Sequence, residues 1–87
     1  MVRMRERLEA ALNTELLEID DESHLHKGHV GARDGRGHFA LTIAAAEFTG
    51  KAPLARHRLV YAALGDMMQT DIHALRIDAR VPAQAAP

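Results

Sequence analysis

The segment IHALRIDAR, residues 72–80, alternates apolar and charged side chains. His73, Leu75, Ile77 and Ala79 fall on one face, and the intervening positions are largely charged. A two-residue period of this kind indicates a strand with one buried face. Because a helical segment precedes this strand and another strand precedes that helix, the two strands can pair in parallel through a right-handed crossover. The pattern therefore predicts an α/β fold.

A helical segment over residues 53–69 supplies the crossover. Pro53 stands in its first turn, where a missing N–H costs little. The apolar stripe predicted to face the core consists of Leu54, His57, Tyr61, Leu64 and Met68, flanked by Val60, Ala63 and Met67.

The N-terminal half of the chain predicts one helix and two strands. Residues 2–13 have apolar side chains at helical spacing, namely Met4, Leu8, Ala11 and Leu12. A first strand begins at Thr14 and ends in the turn-forming run 20–23. A second strand, residues 37–44, has an apolar face formed by Phe39, Leu41 and Ile43. His38 is opposite in phase and is predicted to face solvent, and the two strands are predicted to pair antiparallel.

The predicted order is α-β-β-α-β, a three-stranded mixed sheet with helices on one face, in the α/β (α+β) class. A chain of 87 residues forms a single domain with a small core. We expect the domain to span residues 1–80 and residues 81–87 to form a flexible C-terminal tail.

Composition argues against several functions. The chain has no cysteine, so it supplies no disulfide, no thiolate zinc ligand and no thiol nucleophile. No apolar run approaches the roughly 20 residues that span a bilayer, and the charged N-terminus does not resemble a secretory signal. We therefore expect no membrane partner and a cytoplasmic location. A formal net charge of −1 argues against nucleic acid as the main partner, because phosphate binding normally requires a basic excess. No paired carboxylates, activated serine or phosphate loop indicate an enzyme.

Three of the six histidines lie in the segment 24–36, which joins the two N-terminal strands. They are His24, His26 and His29, among residues that loosen regular structure. A long connection of this composition is predicted to be a loop, and long loops in compact domains tend to be functional. The cluster is compatible with a metal site, a pH-sensitive element or a solvated polar loop, and the residues alone leave all three open.

Four motifs together resemble the BolA family: LEIDDES before the loop, HF at the second strand, FTGKAPLARHRLVYAALGDMM along the long helix, and IHAL. The resemblance extends over residues 3–80. It implies a fold related to the type II KH domain. It also implies a non-enzymatic role beside a monothiol glutaredoxin, in which the two proteins share a glutathione-ligated [2Fe-2S] cluster in iron–sulfur trafficking or iron homeostasis. No cofactor is expected in the isolated chain.

The resemblance also implies ligands. The family's ligand in the HAL motif corresponds to His73. Its loop ligand corresponds to His26 when counted forward from DES, and to His29 when counted back from HF, so both are candidates. A chain without cysteine can bind such a cluster only through imidazoles, which are known ligands of iron in [2Fe-2S] centres. His57 is predicted to be either a packed core histidine or a neighbour and substitute ligand near His73.

Lys51, Arg56 and Arg58 form the one locally basic patch of the sequence. It is compatible with a solvated helix face, a surface for glutathione carboxylates on the glutaredoxin, or a surface for DNA phosphates. The last reading supports an alternative function, a DNA-binding transcriptional regulator that uses the long helix. Of the GXXG loop with which KH domains clamp a nucleic-acid backbone, only Gly50 is present.

Overall fold

The secondary structure has the predicted order. The computed structural model describes residues 2–23 and 37–82, so the predicted ligands His26 and His29 lie outside the described residues. The elements are α1 (Val2–Ala11), β1 (Thr14–Asp21), β2 (Gly37–Ala45), a 3₁₀ helix (Ala46–Phe48), α2 (Pro53–Leu64), α3 (Met67–Thr70) and β3 (Ile72–Arg80).

The three strands form one mixed sheet in the order β1-β2-β3. β1 pairs antiparallel with β2, in a register that places Ile19 opposite Leu41. β2 pairs parallel with β3, in a register that places Leu41 opposite Ile77. Both predicted pairings are confirmed. The parallel pair is possible because the chain returns through α2 and α3 between the two strands.

α1 buries one stripe of its surface. Met4, Leu8 and Leu12 follow a four-residue spacing and are all buried, whereas Ala11, which was predicted to share this stripe, is exposed. The helix ends at Ala11, two residues before the predicted end at residue 13. On its flank, Arg7 donates hydrogen bonds of 2.8 Å to the backbone oxygen of Leu64 and to a carboxylate oxygen of Asp66. The same guanidinium lowers the pKa of the Asp66 carboxyl group. Arg7 therefore ties α1 to the end of α2.

The core lies between the helices and one face of the sheet. Leu41 and Ile43 of β2 are buried beneath α1 and α2, together with Phe48, Val60 and Ile72. Phe48 is completely buried and comes from the short 3₁₀ helix, which the sequence pattern did not reveal. A single 3₁₀ turn contains too few residues to show a hydrophobic period.

The predicted core stripe of the long helix is confirmed at Leu64 and at its flanking residues Val60 and Met67, but it is wrong at Leu54 and Tyr61. The helical residues that are buried are Val60, Leu64 and Met67, whereas Leu54 and Tyr61 are 62% and 42% exposed. Apolar residues occur on every side of α2, so their spacing does not determine which side meets the sheet. No helix in the described part of the chain is long and apolar enough to cross a membrane.

The predicted single helix over residues 53–69 is two helices. α2 ends at Leu64, and Gly65 follows with φ of 57°, in the left-handed region that glycine adopts without steric cost. The Gly65 N–H donates to the Tyr61 oxygen over 2.9 Å and caps the helix. The redirected chain then buries Met67 of α3 in the core.

Two leucines of α2 test the orientation of this helix. Leu64→Ala removes a fully buried side chain and should lower the free energy of unfolding by about 2–5 kcal/mol. Leu54→Ala is the matched control in the same helix, and because Leu54 is largely exposed it should cost no more than about 0.5 kcal/mol. Urea unfolding followed by circular dichroism measures both. Equal losses for the two variants would contradict the orientation described here.

Candidate functional site

One end of the sheet brings together the end of β1 and the beginnings of β2 and β3. The Glu22 N–H donates to the His38 oxygen over 2.7 Å, and the Gly37 N–H donates to the Asp71 oxygen over 2.9 Å. His73 follows two residues after Asp71. We call this end, formed by Glu22, Ser23, Gly37, His38 and His73, the histidine edge.

His73 leaves the apolar face of β3 because the register of the parallel pair shifts at this residue. Gly37 pairs with Ile72, but His38 pairs with Ala74, so His73 is an extra residue on β3. Ile72 is therefore completely buried, and His73 and Ala74 are both exposed. The prediction that His73 shares the face of Leu75 is wrong for this physical reason. The His73 side chain is therefore exposed at the end of the sheet.

His38 is buried, not exposed as predicted. It lies opposite in phase to Phe39 as expected, but its side chain is only 7% exposed. The imidazole rings of His38 and His73 have their centroids 5.0 Å apart and their planes inclined by 51°. The backbone N–H of His38 also donates to the Ser23 hydroxyl oxygen over 3.0 Å. The strand alternation identified the face of His38, but not the neighbouring imidazole ring that packs against it there.

An ion pair crosses the sheet beside the two histidines. Arg76 of β3 donates to the carboxylate of Glu22, which follows β1, over 2.6 Å. The hydrogen bond and the negative charge of Glu22 raise the pKa of the Arg76 guanidinium. Surface ion pairs add little stability, so the main effect of this pair is to hold two side chains in place near the histidine edge.

The segment that contains His26 and His29 begins and ends at the histidine edge. Ser23 and Gly37, the described residues on either side of it, both lie there. The roles of His26 and His29 as ligands stay predictions.

The basic patch begins at the opposite end of the sheet. Arg56 donates to the backbone oxygens of Lys51 and Ala79 over 2.8 and 3.0 Å, and so joins α2 to β3. Ala79 lies six residues after His73 along β3, which corresponds to about 20 Å. The structure therefore does not bring Arg56 to the histidine edge. His57 is half-buried on α2, and Lys51 and Arg58 are exposed.

The described residues do not contain a complete metal site. No group of three or more histidine or carboxylate side chains is placed to hold a metal ion within residues 2–23 and 37–82. The two imidazoles at the histidine edge could supply part of a coordination sphere. The remaining ligands would then come from outside the described residues.

Comparison with known proteins assigns the chain to a family. A family model described as BolA-like protein matches residues 8–84. The chain belongs to the BolA family. BolA-like protein 1 of Bos taurus is 44% identical over 81 residues, which cover 93% of this chain and 58% of that protein. SufE-like protein 1, chloroplastic/mitochondrial, of Arabidopsis thaliana is 42% identical over 88 residues, which cover 95% of this chain and 24% of that protein.

The similarity includes the fold. The solved BolA domain of SufE1 from Arabidopsis thaliana superposes with a TM-score of 0.82 at 41% identity, covering 95% of this chain and 92% of that one. The DNA-binding transcriptional regulator BolA of Escherichia coli K12 is 36% identical over 75 residues, or 86% of this chain and 69% of that protein. The chain spans 58% and 24% of the bovine and plant relatives, so those matches concern the BolA domain alone.

Sequence reasoning missed the scaffold of the histidine edge. Ser23, Gly37 and His38 hold this edge together through hydrogen bonds of the backbone and of the Ser23 hydroxyl group, and the sequence pattern revealed none of these contacts. The available signal was the position of Gly37, directly before the HF motif. A Cβ atom at Gly37 would lie 2.5 Å from two ring carbons of Phe39 and 3.2 Å from the Ser23 hydroxyl oxygen. Glycine is therefore required for this close approach.

Gly37→Ala tests that close approach. The added methyl group forces the Phe39 ring to move, and the variant should lose about 1–3 kcal/mol of unfolding free energy. Phe39→Leu shortens the obstructing side chain, so the double variant should lose less than the sum of the two single losses. Urea unfolding of the four proteins gives the coupling. Additive losses would show that the ring and the glycine do not meet.

Proposed function

We propose that this BolA-family chain is a non-enzymatic adaptor that binds a monothiol glutaredoxin and shares a glutathione-ligated [2Fe-2S] cluster with it, in iron–sulfur trafficking or iron homeostasis. The observation that carries the proposal is the exposed side chain of His73 at the end of the sheet where Ser23 and Gly37, the described residues on either side of the segment with His26 and His29, also lie.

The donor atoms of the chain fit part of such a cluster. The chain has no cysteine, so its ligands would be His73 and one of His26 or His29. Imidazole nitrogen replaces thiolate on one iron in known [2Fe-2S] centres. Thiolates would come from the glutaredoxin cysteine and from glutathione. The cluster, when bound, would supply an iron–sulfur unit for transfer or for sensing iron.

The residues around His73 can orient it. The His38 ring packs against that of His73 and is itself buried, so it limits the positions that the His73 ring can take. The hydrogen bond from the backbone N–H of His38 to the Ser23 hydroxyl group holds this side of the edge in place. Only neutral imidazole can bind a metal, so binding through histidine should weaken as the pH falls.

A reconstitution experiment tests the proposal. The chain is mixed with a monothiol glutaredoxin, glutathione, iron and sulfide, and the visible absorption and circular dichroism are compared with those of the glutaredoxin alone. A new spectrum is expected for the wild type, and His73→Ala should lose or alter it. His57→Ala is the matched control on α2, and His26→Ala and His29→Ala identify the loop ligand.

Two results would contradict the proposal. One is a mixture whose spectrum equals that of the glutaredoxin alone. The other is a new spectrum that His73→Ala leaves unchanged. That result would show that a complex forms but that His73 is not a ligand in it. If His57→Ala has the larger effect, the ligand lies on α2 and not on β3.

A DNA-binding regulator is the second candidate function. Two observations favour it: the name of the Escherichia coli relative, and the exposed Lys51 and Arg58, which make no ion pair with any described residue. If Arg58 contacts a phosphate, Arg58→Ala should reduce the slope of log affinity against log salt by about 1 in mobility-shift titrations with duplex DNA. Arg3→Ala changes the net charge equally but removes an arginine that pairs with Asp71, so it is the control. Equal slopes for both variants would indicate non-specific attraction.

A further inference from the structure

The basic side chains of the described residues differ in their pairing. Five arginines form ion pairs with carboxylates of the same chain: Arg3, Arg5, Arg7, Arg76 and Arg80. Within residues 2–23 and 37–82, Lys51 and Arg58 have no such partner, and Arg56 donates only to backbone oxygens. Uncompensated positive charge is therefore concentrated on and just before α2.

The same side of α2 exposes large apolar side chains. Leu54, Arg58 and Tyr61 are spaced by four and three residues, which places them on one side of the helix. Leu54 and Tyr61 are the exposed large hydrophobics that the long-helix pattern had assigned to the core. We call the surface formed by Leu54, Arg58 and Tyr61, together with Lys51 just before the helix, the cationic face.

A groove with a net negative charge lies on α1 and β1, because two glutamates and one arginine line it. This shallow groove of about 300 Å³ is lined by Val2, Arg5, Glu6, Glu9 and Ile19. Val2 is 71% exposed, and Glu6 has no ion pair among the described residues. Glu9 lies 3.7 Å from Arg5 and pairs with it, so Glu6 is the groove carboxylate that no described cation neutralises. We call this surface the acidic groove.

The two surfaces complement each other. Val2, Leu54 and Tyr61 are the large hydrophobic side chains that stand exposed in the described part of the chain, and all three belong to one of these surfaces. We propose that the cationic face of one copy of this chain docks in the acidic groove of a second copy. Leu54 and Tyr61 contact Val2 and Ile19, and Arg58 meets Glu6.

The chemistry of the cationic face favours this partner over nucleic acid. A phosphate backbone would pair with Arg58 but would leave Leu54 and Tyr61 without apolar contacts. The acidic groove offers both carboxylates and apolar surface. The formal net charge of −1 also imposes little repulsion between two copies. This proposal is independent of the histidine edge and of any cluster.

Reversing the charges tests the proposal with the isolated chain. Arg58→Glu makes the cationic face repel the acidic groove, and Glu6→Lys combined with Glu9→Lys makes the groove repel the face. Each variant alone should self-associate about tenfold or more weakly than the wild type in sedimentation equilibrium. In an equimolar mixture of the two variants every interface is again complementary in sign, so association should return.

A control and a local probe complete the test. The double variant Glu15→Lys/Glu18→Lys changes the net charge by the same amount as Glu6→Lys/Glu9→Lys. Its substitutions lie at exposed positions on β1 outside the acidic groove, so its association should stay closer to that of the wild type. Tyr61 is the only tyrosine, so 3-fluorotyrosine labelling gives one ¹⁹F resonance on the cationic face. That resonance should shift with protein concentration in the wild type and in the mixture, but not in either variant alone.

Three results would overturn the proposal. A wild-type chain that stays monomeric at millimolar concentration excludes it, and loss of duplex DNA binding by Arg58→Glu would then assign the cationic face to nucleic acid. If the mixture associates no better than the separate variants, the two surfaces do not pair with each other. Association that leaves the Tyr61 resonance unchanged places the contact elsewhere.

Discussion

The central strand β2 is the element on which the rest of the structure depends. It is the only described strand with a neighbour on both sides, antiparallel β1 and parallel β3. Its inward side chains, Leu41 and Ile43, are buried beneath both helices. A parallel neighbour requires a crossover, so the position of α2 follows from this pairing. The start of β2 also supplies Gly37 and His38, and so anchors the histidine edge.

One extra residue in β3 makes His73 accessible. Without the register shift, His73 would point with Leu75 toward the helices. With it, Ile72 fills the core and the imidazole is exposed beside His38. Extra residues in strands commonly redirect a side chain at functional sites, and the extra residue in β3 redirects His73 in this way. The proposed role of His73 depends on this local irregularity and not on the regular part of the sheet.

The ends of the domain differ in chemistry. The histidine edge contains imidazoles and a cross-strand ion pair, whereas α2 begins near the other end of the sheet, where Arg56 contacts Ala79. Lys51 and Arg58 carry charges that no described carboxylate neutralises. Arg56, in contrast, serves the fold, because its guanidinium donates to two backbone oxygens. Three basic residues that are neighbours in sequence therefore have different roles.

Much of the fold and part of the site could be predicted from the sequence. Alternation in residues 72–80 and helical spacing in α1 indicated the element order and both strand pairings, because these periods are local properties of the chain. The family motifs indicated His73 as a candidate, although they left open which loop histidine would join it.

Only the tertiary structure decided which way several side chains point. Apolar residues surround α2, so the core face of that helix is set by packing against the sheet and not by the pattern. A strand pattern assumes an unbroken two-residue alternation, so it could not show the extra residue at His73. His38 packs against a ring from a different strand, a contact that no local period reveals. The sequence by itself determined the elements and their order, because periodicity is local; side-chain orientation depends on contacts between residues far apart in the chain.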